Sequence, residues 1–434
     1  MEKKSLKLPI TLLVLGACWS IVYIIPFIQY IWYDPFQQFM NATNTQMGLL
    51  ITIYGFGNVF GAPIGGWIAD RFNYKYIYVG SVLLNGIFTL IFVMHPTYFM
   101  AVLMWIGFAI ASLLMNYPTH IKMIRDLTTD ENQGKIFGMN ETCIGIFNIV
   151  FNTVMMVFYM KFMEGVAGLK AAMISIAVLS FVLTGIAMIV LDNPKEKIAA
   201  ERAKKAAEAK EKAKKKTNVV ADFLMIMKQP ATWLVAISIF AVYSFLTTLT
   251  YFTPYFTDVL GVAVTFSGGV AILRQHGMTL LGAPIGGILT DKVGSPSKVL
   301  LGVYTVGVLG LGYLLFADAG VAAEFLIALT LIMSAAVYIG RGAYYATITE
   351  AGVSRNLTAS TIGIAAAVGF SPDLFQFTLF GYWLDTLGTQ AYTYMFIFQA
   401  VVLVIGALAA LKILHIKKKN TQNVCAAVEQ SELN

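Results

Sequence analysis

The stretch GAPIGGWIADR, Gly61 to Arg71, returns almost letter for letter as GAPIGGILTDK, Gly282 to Lys292. The copies lie 221 positions apart in a chain of 434 residues, so the repeat divides the sequence into two related halves. Small residues recur at every fourth position: Gly57, Gly61, Gly65 and Ala69, then Gly282, Gly286 and Thr290. On a helix these share one face and let a second backbone come close. Membrane helices pack in this way because lipid offers no hydrophobic drive. Each copy then ends on an aspartate followed by a basic residue, where an apolar helix meets water.

Gly66-Trp67-Ile68-Ala69-Asp70-Arg71-Phe72-Asn73-Tyr74-Lys75 resembles the signature between helices 2 and 3 of the major facilitator superfamily, Gly-x-Leu-Ala-Asp-Arg-x-Gly-Arg-Arg/Lys. It departs from that pattern at Ile68, Asn73 and Tyr74. The second copy keeps Gly287, Leu289, Asp291, Lys292 and Gly294, then diverges at Ser295 and Pro296. The resemblance implies an all-α integral membrane protein with twelve transmembrane helices in two pseudo-symmetric six-helix bundles. It also implies that the chain carries a solute.

Composition agrees. Hydrophobic residues make up 58% of the chain and charged ones 12%, with a mean hydropathy of +0.72, which excludes an ordinary soluble domain. Apolar segments long enough to cross a bilayer at ~20 residues each run from Pro9 to Tyr33, Met47 to Ala69, Tyr76 to Met94, Tyr98 to Ile121, Ile136 to Met160 and Leu169 to Leu191. Six more run from Ala231 to Thr257, Val264 to Thr290, Val299 to Phe316, Ala323 to Ile348, Ser360 to Leu384 and Tyr392 to Leu414. The expected organisation is a first bundle at 1–192, a basic linker at 193–230, a second bundle at 231–415 and a tail at 416–434.

Lys3, Lys4, Lys7, Arg71, Lys75, Lys122, Arg125, Lys135, Lys292, Lys298, Arg355, Lys412 and Lys417 to Lys419 fall at the termini or in the even-to-odd loops, whereas the opposite loops hold Lys161 and Lys170. The positive-inside rule then places both termini, the linker and the tail in the cytoplasm of a multi-pass cell-membrane protein. The linker, rich in Ala, Lys and Glu, reads as a solvated helical connector that touches anionic headgroups. The tail beyond Lys419 reads as disordered.

Chemistry is expected where polar groups enter the membrane at a cost of several kcal/mol. Arg274, Gln275 and His276 stand together in the middle of the eighth segment, and the first-half counterpart of Arg274 is Ile53, so the fold itself does not require a cation there. Tyr23, Gln29 and Tyr30 on the first segment, Asn116 on the fourth, and Tyr243, Tyr251 and Tyr255 on the seventh are further substrate candidates, through ring faces and polar tips. Each of these also reads as simple packing. Glu141 on the fifth segment and Arg341 on the tenth come at similar depth, about 10 and 8 Å from mid-helix by the helical rise, and suit a gate. Asp373, beside Pro372, is the alternative partner for Arg341 or a proton carrier. His120, Asp70, Arg71, Asp291 and Lys292 complete the gating and coupling candidates.

Cys18, Cys143 and Cys425 are too scattered for a disulfide framework, and four histidines without clustered carboxylates point to no metal. The chain carries no Gly-rich phosphate loop ending in Gly-Lys-Ser/Thr, which excludes ATP drive through that motif. The expected activity is therefore secondary active transport by alternating access, not an enzyme reaction. It needs no cofactor, binds no nucleic acid, and works as a monomer in the lipid bilayer with a proton or counter-anion as coupling partner. Two buried arginines and a histidine favour a small organic anion: an organic acid, sugar acid or sugar phosphate. Proton-coupled uptake of a neutral sugar or nucleoside is the alternative, and a non-transporting solute receptor on the same fold the third reading. Patterns that the superfamily's proton-driven drug exporters carry, Arg-x-x-Gln-Gly-x-Gly on helix 4 and Gly-x-x-x-Gly-Pro on helix 5, are missing. So are the arginines that its organophosphate antiporters place on helices 1 and 7.

Overall fold

The computed structural model describes residues 2–127, 133–192, 226–316, 322–353 and 358–432, and every regular element among them is helical. Most of the basic linker, 193–225, lies outside the described residues. In the first half the helices are α1 (Glu2–Ile24), α2 (Tyr33–Met40), α3 (Asn44–Arg71), α4 (Tyr74–Met94), α5 (Tyr98–Ala109), α6 (Tyr117–Asp126), α7 (Gln133–Lys161) and α8 (Gly165–Val190). The second half has α9 (Pro230–Thr250), α10 (Phe252–Asp258), α11 (Val264–Ile272), α12 (Met278–Val293), α13 (Pro296–Phe316), α14 (Ala323–Ala343), α15 (Thr347–Glu350), α16 (Thr358–Gly369), α17 (Pro372–Leu387) and α18 (Ala391–Glu432).

Local chemistry sets the ends. A reciprocal capping box of Thr43 and Gln46 opens α3, the Asn73 and Thr97 side chains cap α4 and α5, and Gly294 closes α12 in the left-handed conformation that suits glycine. Several expected spans turn out to be interrupted. The first stops at Ile24 ahead of Pro26, so Gln29 and Tyr30 sit on a short 3₁₀ turn, Ile28–Tyr30. The eleventh is broken between Gly369 and Pro372, as a proline requires. The fourth and eighth widen into π-helical turns at Ile110–Asn116 and Leu273–Gly277. The expectation of a disordered tail is wrong for the backbone up to Glu432: α18 runs 42 residues, because 415–432 holds good helix formers and neither proline nor glycine.

Nine segments among the described residues are long and apolar enough to cross a membrane, and one of these, Thr361–Lys419, spans 59 residues and includes two of the expected crossings. The expected crossings at 47–69 and 264–290 are not among the nine, and the second carries the π turn. Large apolar side chains such as Phe316, Ile189, Phe99 and Leu309 stand largely exposed, which is the surface a lipid solvent needs.

Two compact units emerge, and they do not follow the sequence halves strictly. The first takes the described residues up to 192 together with Val262–Ile272 and Phe377–Asp385; the second takes 226 to Gly261, Leu273–Gln376 and the chain from Thr386 onward. In the first, α1 packs on α7 and α4 on α8; in the second, α12 packs on α14, and α18 on both α9 and α13. The repeat does what its small residues promised. A Cβ on Gly65 would lie 2.2 Å from the Leu114 carbonyl oxygen, and one on Gly286 2.2 Å from that of Ile339, so each copy packs backbone to backbone within its own unit.

Candidate functional site

Arg274 is the largest polar side chain sealed in the second unit, with no exposed surface. It stands on the π turn Leu273–Gly277, where wider winding frees backbone carbonyls. Two hydroxyls take these up: Ser334 donates to the Arg274 carbonyl at 2.6 Å, and Thr279 donates to that of Gln275. The guanidinium donates through Nη2 to Thr253 Oγ1 at 2.6 Å. Its carbon lies 6.0 and 5.8 Å from the ring centroids of Phe252 and Phe256, within cation–π range. Nε and Nη1 have no hydrogen-bond partner, and no carboxylate pairs with Arg274 among the described residues. The neighbouring Gln275 accepts from the Tyr338 hydroxyl at 2.8 Å, while its Nε2 is likewise unpartnered. These are buried donors of a kind that protein or water normally satisfies, and those of Arg274 lie beside two aromatic rings. His276, on the same turn, is half-buried.

The other candidates of this unit divide. Asp373, in the first turn of α17 and 3% exposed, accepts from the Tyr243 hydroxyl at 2.8 Å through Oδ2, and Oδ1 has no partner. Asp373 therefore does not pair with Arg341, whose guanidinium lies 5.6 Å from the Tyr338 ring. The alternative pairing expected within the second half is absent here: Asp373 bonds Tyr243 through one oxygen, and Arg341 lies against the Tyr338 ring. Tyr251 is buried at the break between α9 and α10. Tyr255 packs edge-on against Phe252, Tyr392 and Phe396, which makes it part of an aromatic core. Asp291 and Lys292 are exposed in the last turn of α12.

In the first unit the polar run of the fourth span is knitted inward. Asn116 donates to Ser81 Oγ at 2.9 Å, Tyr78 donates its hydroxyl hydrogen to the Leu15 carbonyl at 2.9 Å, and the Tyr78 oxygen lies 3.0 Å from His120 Nδ1. With that hydrogen spent on Leu15, Nδ1–H must donate to Tyr78, and Nε2 accepts from the Asn140 amide at 3.0 Å. His120 is then a neutral imidazole with both nitrogens engaged, packed 4.5 Å from Trp19. Tyr23 leans on Trp19 at 4.8 Å, and its hydroxyl lies 3.4 Å from the Ser112 carbonyl. Gln29 is buried with Nε2 unpartnered, and Tyr30 stacks on Phe377 at 5.7 Å. Glu141 and Arg71 are exposed; the Asp70 side chain lies outside the described residues.

The segments that the second sequence half lends to the first unit are firmly held. Asp385 accepts four hydrogen bonds at the start of α3: from Asn44 N at 2.8 Å, Asn44 Nδ2 at 2.9 Å, Thr45 N at 2.8 Å and Thr45 Oγ1 at 2.5 Å. A carboxylate at a helix N-terminus satisfies orphan amides and faces the positive end of the helix dipole. Just beyond it, Gly48 and Gly381 allow backbone contact, and Thr52 bonds Thr378 at 2.9 Å. Thr265 donates to Glu164 at 3.1 Å on the other lent segment.

Residues 9–372 match the family model of the Major Facilitator Superfamily. The chain belongs to the major facilitator superfamily. Two inner membrane proteins of Escherichia coli (strain K12) are similar to it. YqcE is 27% identical over 440 residues, covering 100% of both chains, and YihN is 28% identical over 373 residues, covering 86% of each. Among solved structures, the inward-facing, unoccupied bacterial homologue of the human lysosomal transporter Spinster superposes with a TM-score of 0.69 at 16% identity, covering 96% of this chain and 98% of that one. The nucleoside transporter NupG gives 0.65 at 15% identity, covering 94% and 98%, and the Escherichia coli xylose transporter XylE gives 0.64 at 15%, covering 95% of each. At such identities these structures carry the fold alone. Superfamily membership makes the chain a multi-pass membrane transporter and not an enzyme.

Within this superfamily member, sequence reasoning picked out Arg274 and Asp373 but missed Thr253, Phe252, Phe256, Ser334 and Tyr338 around them. These residues are unremarkable in apolar helices, and only the fold brings them together. Asp385 was missed because the eleventh segment was closed one residue earlier, at Leu384. An acid at the end of a membrane helix also reads as an ordinary interfacial residue.

Proposed function

We propose that the chain is a secondary active transporter that moves a small organic anion (an organic acid, sugar acid or sugar phosphate) across the cytoplasmic membrane by alternating access. The observation that carries this reading is Arg274: a sealed guanidinium with two unpartnered donor nitrogens and no carboxylate among the described residues. Burying an unpaired charge costs several kcal/mol, so a site that keeps one gains from an anion that completes it. The free Nε and Nη1 stand on the two different edges of the planar fork, and each can donate a charge-assisted hydrogen bond to a carboxylate or phosphate oxygen. Phe252 and Phe256 on the flank exclude water and strengthen that bond. The π turn beneath Arg274 is a local device that can rewind to α geometry, re-aiming the side chain as the site opens.

The basic residues at the termini and even-to-odd loops support cytoplasmic termini, and the names of the two curated relatives support an inner-membrane location. Glu141 and Arg341 remain the gate we propose. A second reading rests on Asp373, whose Oδ1 is buried without a partner: a carboxyl that takes up a proton would couple a neutral sugar or nucleoside to the proton gradient. Uptake into proteoliposomes separates the two. With labelled organic acids, sugar acids, sugar phosphates, xylose and nucleosides, with and without a pH gradient, the anions should accumulate and the neutral solutes should not. Uptake confined to a neutral solute would overturn the anion reading.

A further inference from the structure

A basic cavity of about 490 Å³ sits where α12 ends and α13 begins, beside the later turns of α18, lined by Gly294, Lys298, Leu414, Lys417, Lys418 and Gln422. Its charge is not used up inside the protein. Lys417 donates to Glu350 Oε1 at 2.7 Å and to the Gly294 carbonyl at 2.9 Å, while Glu350 Oε2 accepts from the Ser297 amide at 3.0 Å. Glu350 is thereby neutralised by Lys417 and a helix-start amide. Lys298 and Lys418 are both exposed, and neither has an ion-pair partner among the described residues. Among the described residues, these two positive charges are left over.

Depth and shape say what they face. Lys417 lies 26 residues beyond the start of α18, about 39 Å along the helix, and so just past a hydrocarbon core of about 30 Å. That is the level of lipid headgroups. Below it, Ile397, Val401, Val404, Leu408 and Leu411 are each 46–60% exposed and recur in steps of four and three. They form one lipid-facing stripe of α18. Lys418, seven residues beyond Leu411, continues the same face. An apolar track thus runs up the helix and ends under an unpaired ammonium, with a second from Lys298 on the neighbouring helix.

We propose that this corner is a binding site for an anionic glycerophospholipid, whose phosphate engages Lys298 and Lys418 while an acyl chain lies along the exposed stripe of α18. Basic pockets between membrane helices at headgroup depth suit such lipids, and each lysine near the surface contributes about 1 kcal/mol. The site is independent of the transported solute.

The test uses the full-length protein in detergent micelles with added phosphatidylglycerol or phosphatidylcholine, read by native mass spectrometry and by the rise in Tm. Phosphatidylglycerol should be retained in preference to phosphatidylcholine. The paired change Lys298→Gln and Lys418→Gln should weaken that retention about thirty-fold, the factor two such lysines give. The paired change Lys412→Gln and Lys419→Gln, at exposed lysines outside the cavity, should alter it by no more than a few-fold. Equal loss in both double variants would reduce the effect to general surface charge and overturn the site. Unchanged retention in Lys298→Gln with Lys418→Gln would do the same. A third arm adds inorganic phosphate or glycerol phosphate alone. If either raises Tm as far as the lipid does, the site takes a free phosphate and the lipid assignment fails.

Discussion

Adjacent glycines in the second repeat should respond oppositely to the same small change. A Cβ at position 286 would sit 2.2 Å from Ile339 O, 2.9 Å from Ile339 C and 3.1 Å from Ile339 Cα, all backbone atoms of α14. Real Cβ contacts essentially never fall below 3.0 Å, so helix α12 or α14 must give way. Such overpacking costs about 1–3 kcal/mol. The displacement would also reach the arginine site, because Tyr338, next to Ile339, donates to Gln275. At Gly287, one residue on, a Cβ meets nothing within 4 Å. Alanine there removes backbone freedom and should favour the helix by roughly 0.5–1 kcal/mol. Thermal unfolding of purified wild type, Gly286→Ala and Gly287→Ala in one detergent and lipid mixture reads both effects. Gly286→Ala should melt well below wild type and Gly287→Ala at or above it. Equal melting of the three proteins, or equal losses in both variants, would refute the claim that the repeat is a backbone-contact face.

Asp385→Ala removes the acceptor of four hydrogen bonds, a loss of about 2–3 kcal/mol for charge-assisted bonding; amide exchange at Asn44 and Thr45 should accelerate by one to two orders of magnitude, and unchanged exchange would deny the clasp. His120→Ala should lower Tm through the orphaned Tyr78 and Asn140 groups yet leave the pH profile of uptake in place, since the imidazole is neutral and fully engaged; a shifted profile would make His120 a proton carrier. If Glu141 and Arg341 close one gate, Glu141→Gln and Arg341→Gln should give matching defects in counterflow and pH-driven uptake, with the double variant little worse than either. Selective loss of pH-driven uptake in Glu141→Gln alone would assign it the driving proton instead.

The repeated glycines, the apolar spans and the Asp-basic ending were legible in sequence because each follows from a period or a composition that lipid imposes. The family followed from them. The breaks at Pro26 and Pro372 have visible causes in the prolines themselves, and the first takes Gln29 and Tyr30 off the continuous helix that the apolar run suggests. The π turns at Ile110–Asn116 and Leu273–Gly277 had no local signal. They are stabilised by hydroxyls from elsewhere, Ser334 and Tyr23 among them, which bond the carbonyls they present. The site was half legible for the same reason. A charge inside an apolar run is conspicuous, but whether Arg274 finds a carboxylate depends on neighbours up to 60 residues away. Asp373 likewise takes its partner from Tyr243, 130 residues distant, and not from the nearer Arg341.

The central claim is that an anion completes Arg274, and titration calorimetry on folded protein tests it most directly. The probe is the anion with the greatest uptake in proteoliposomes, titrated into wild type, Arg274→Ala and Arg274→Lys. Loss of a buried charge-assisted bond of ~1.5–3 kcal/mol should weaken binding by about one to two orders of magnitude in Arg274→Ala. Arg274→Lys should recover part of that loss, keeping the charge without the planar fork. Wild-type affinity in Arg274→Ala would contradict the account.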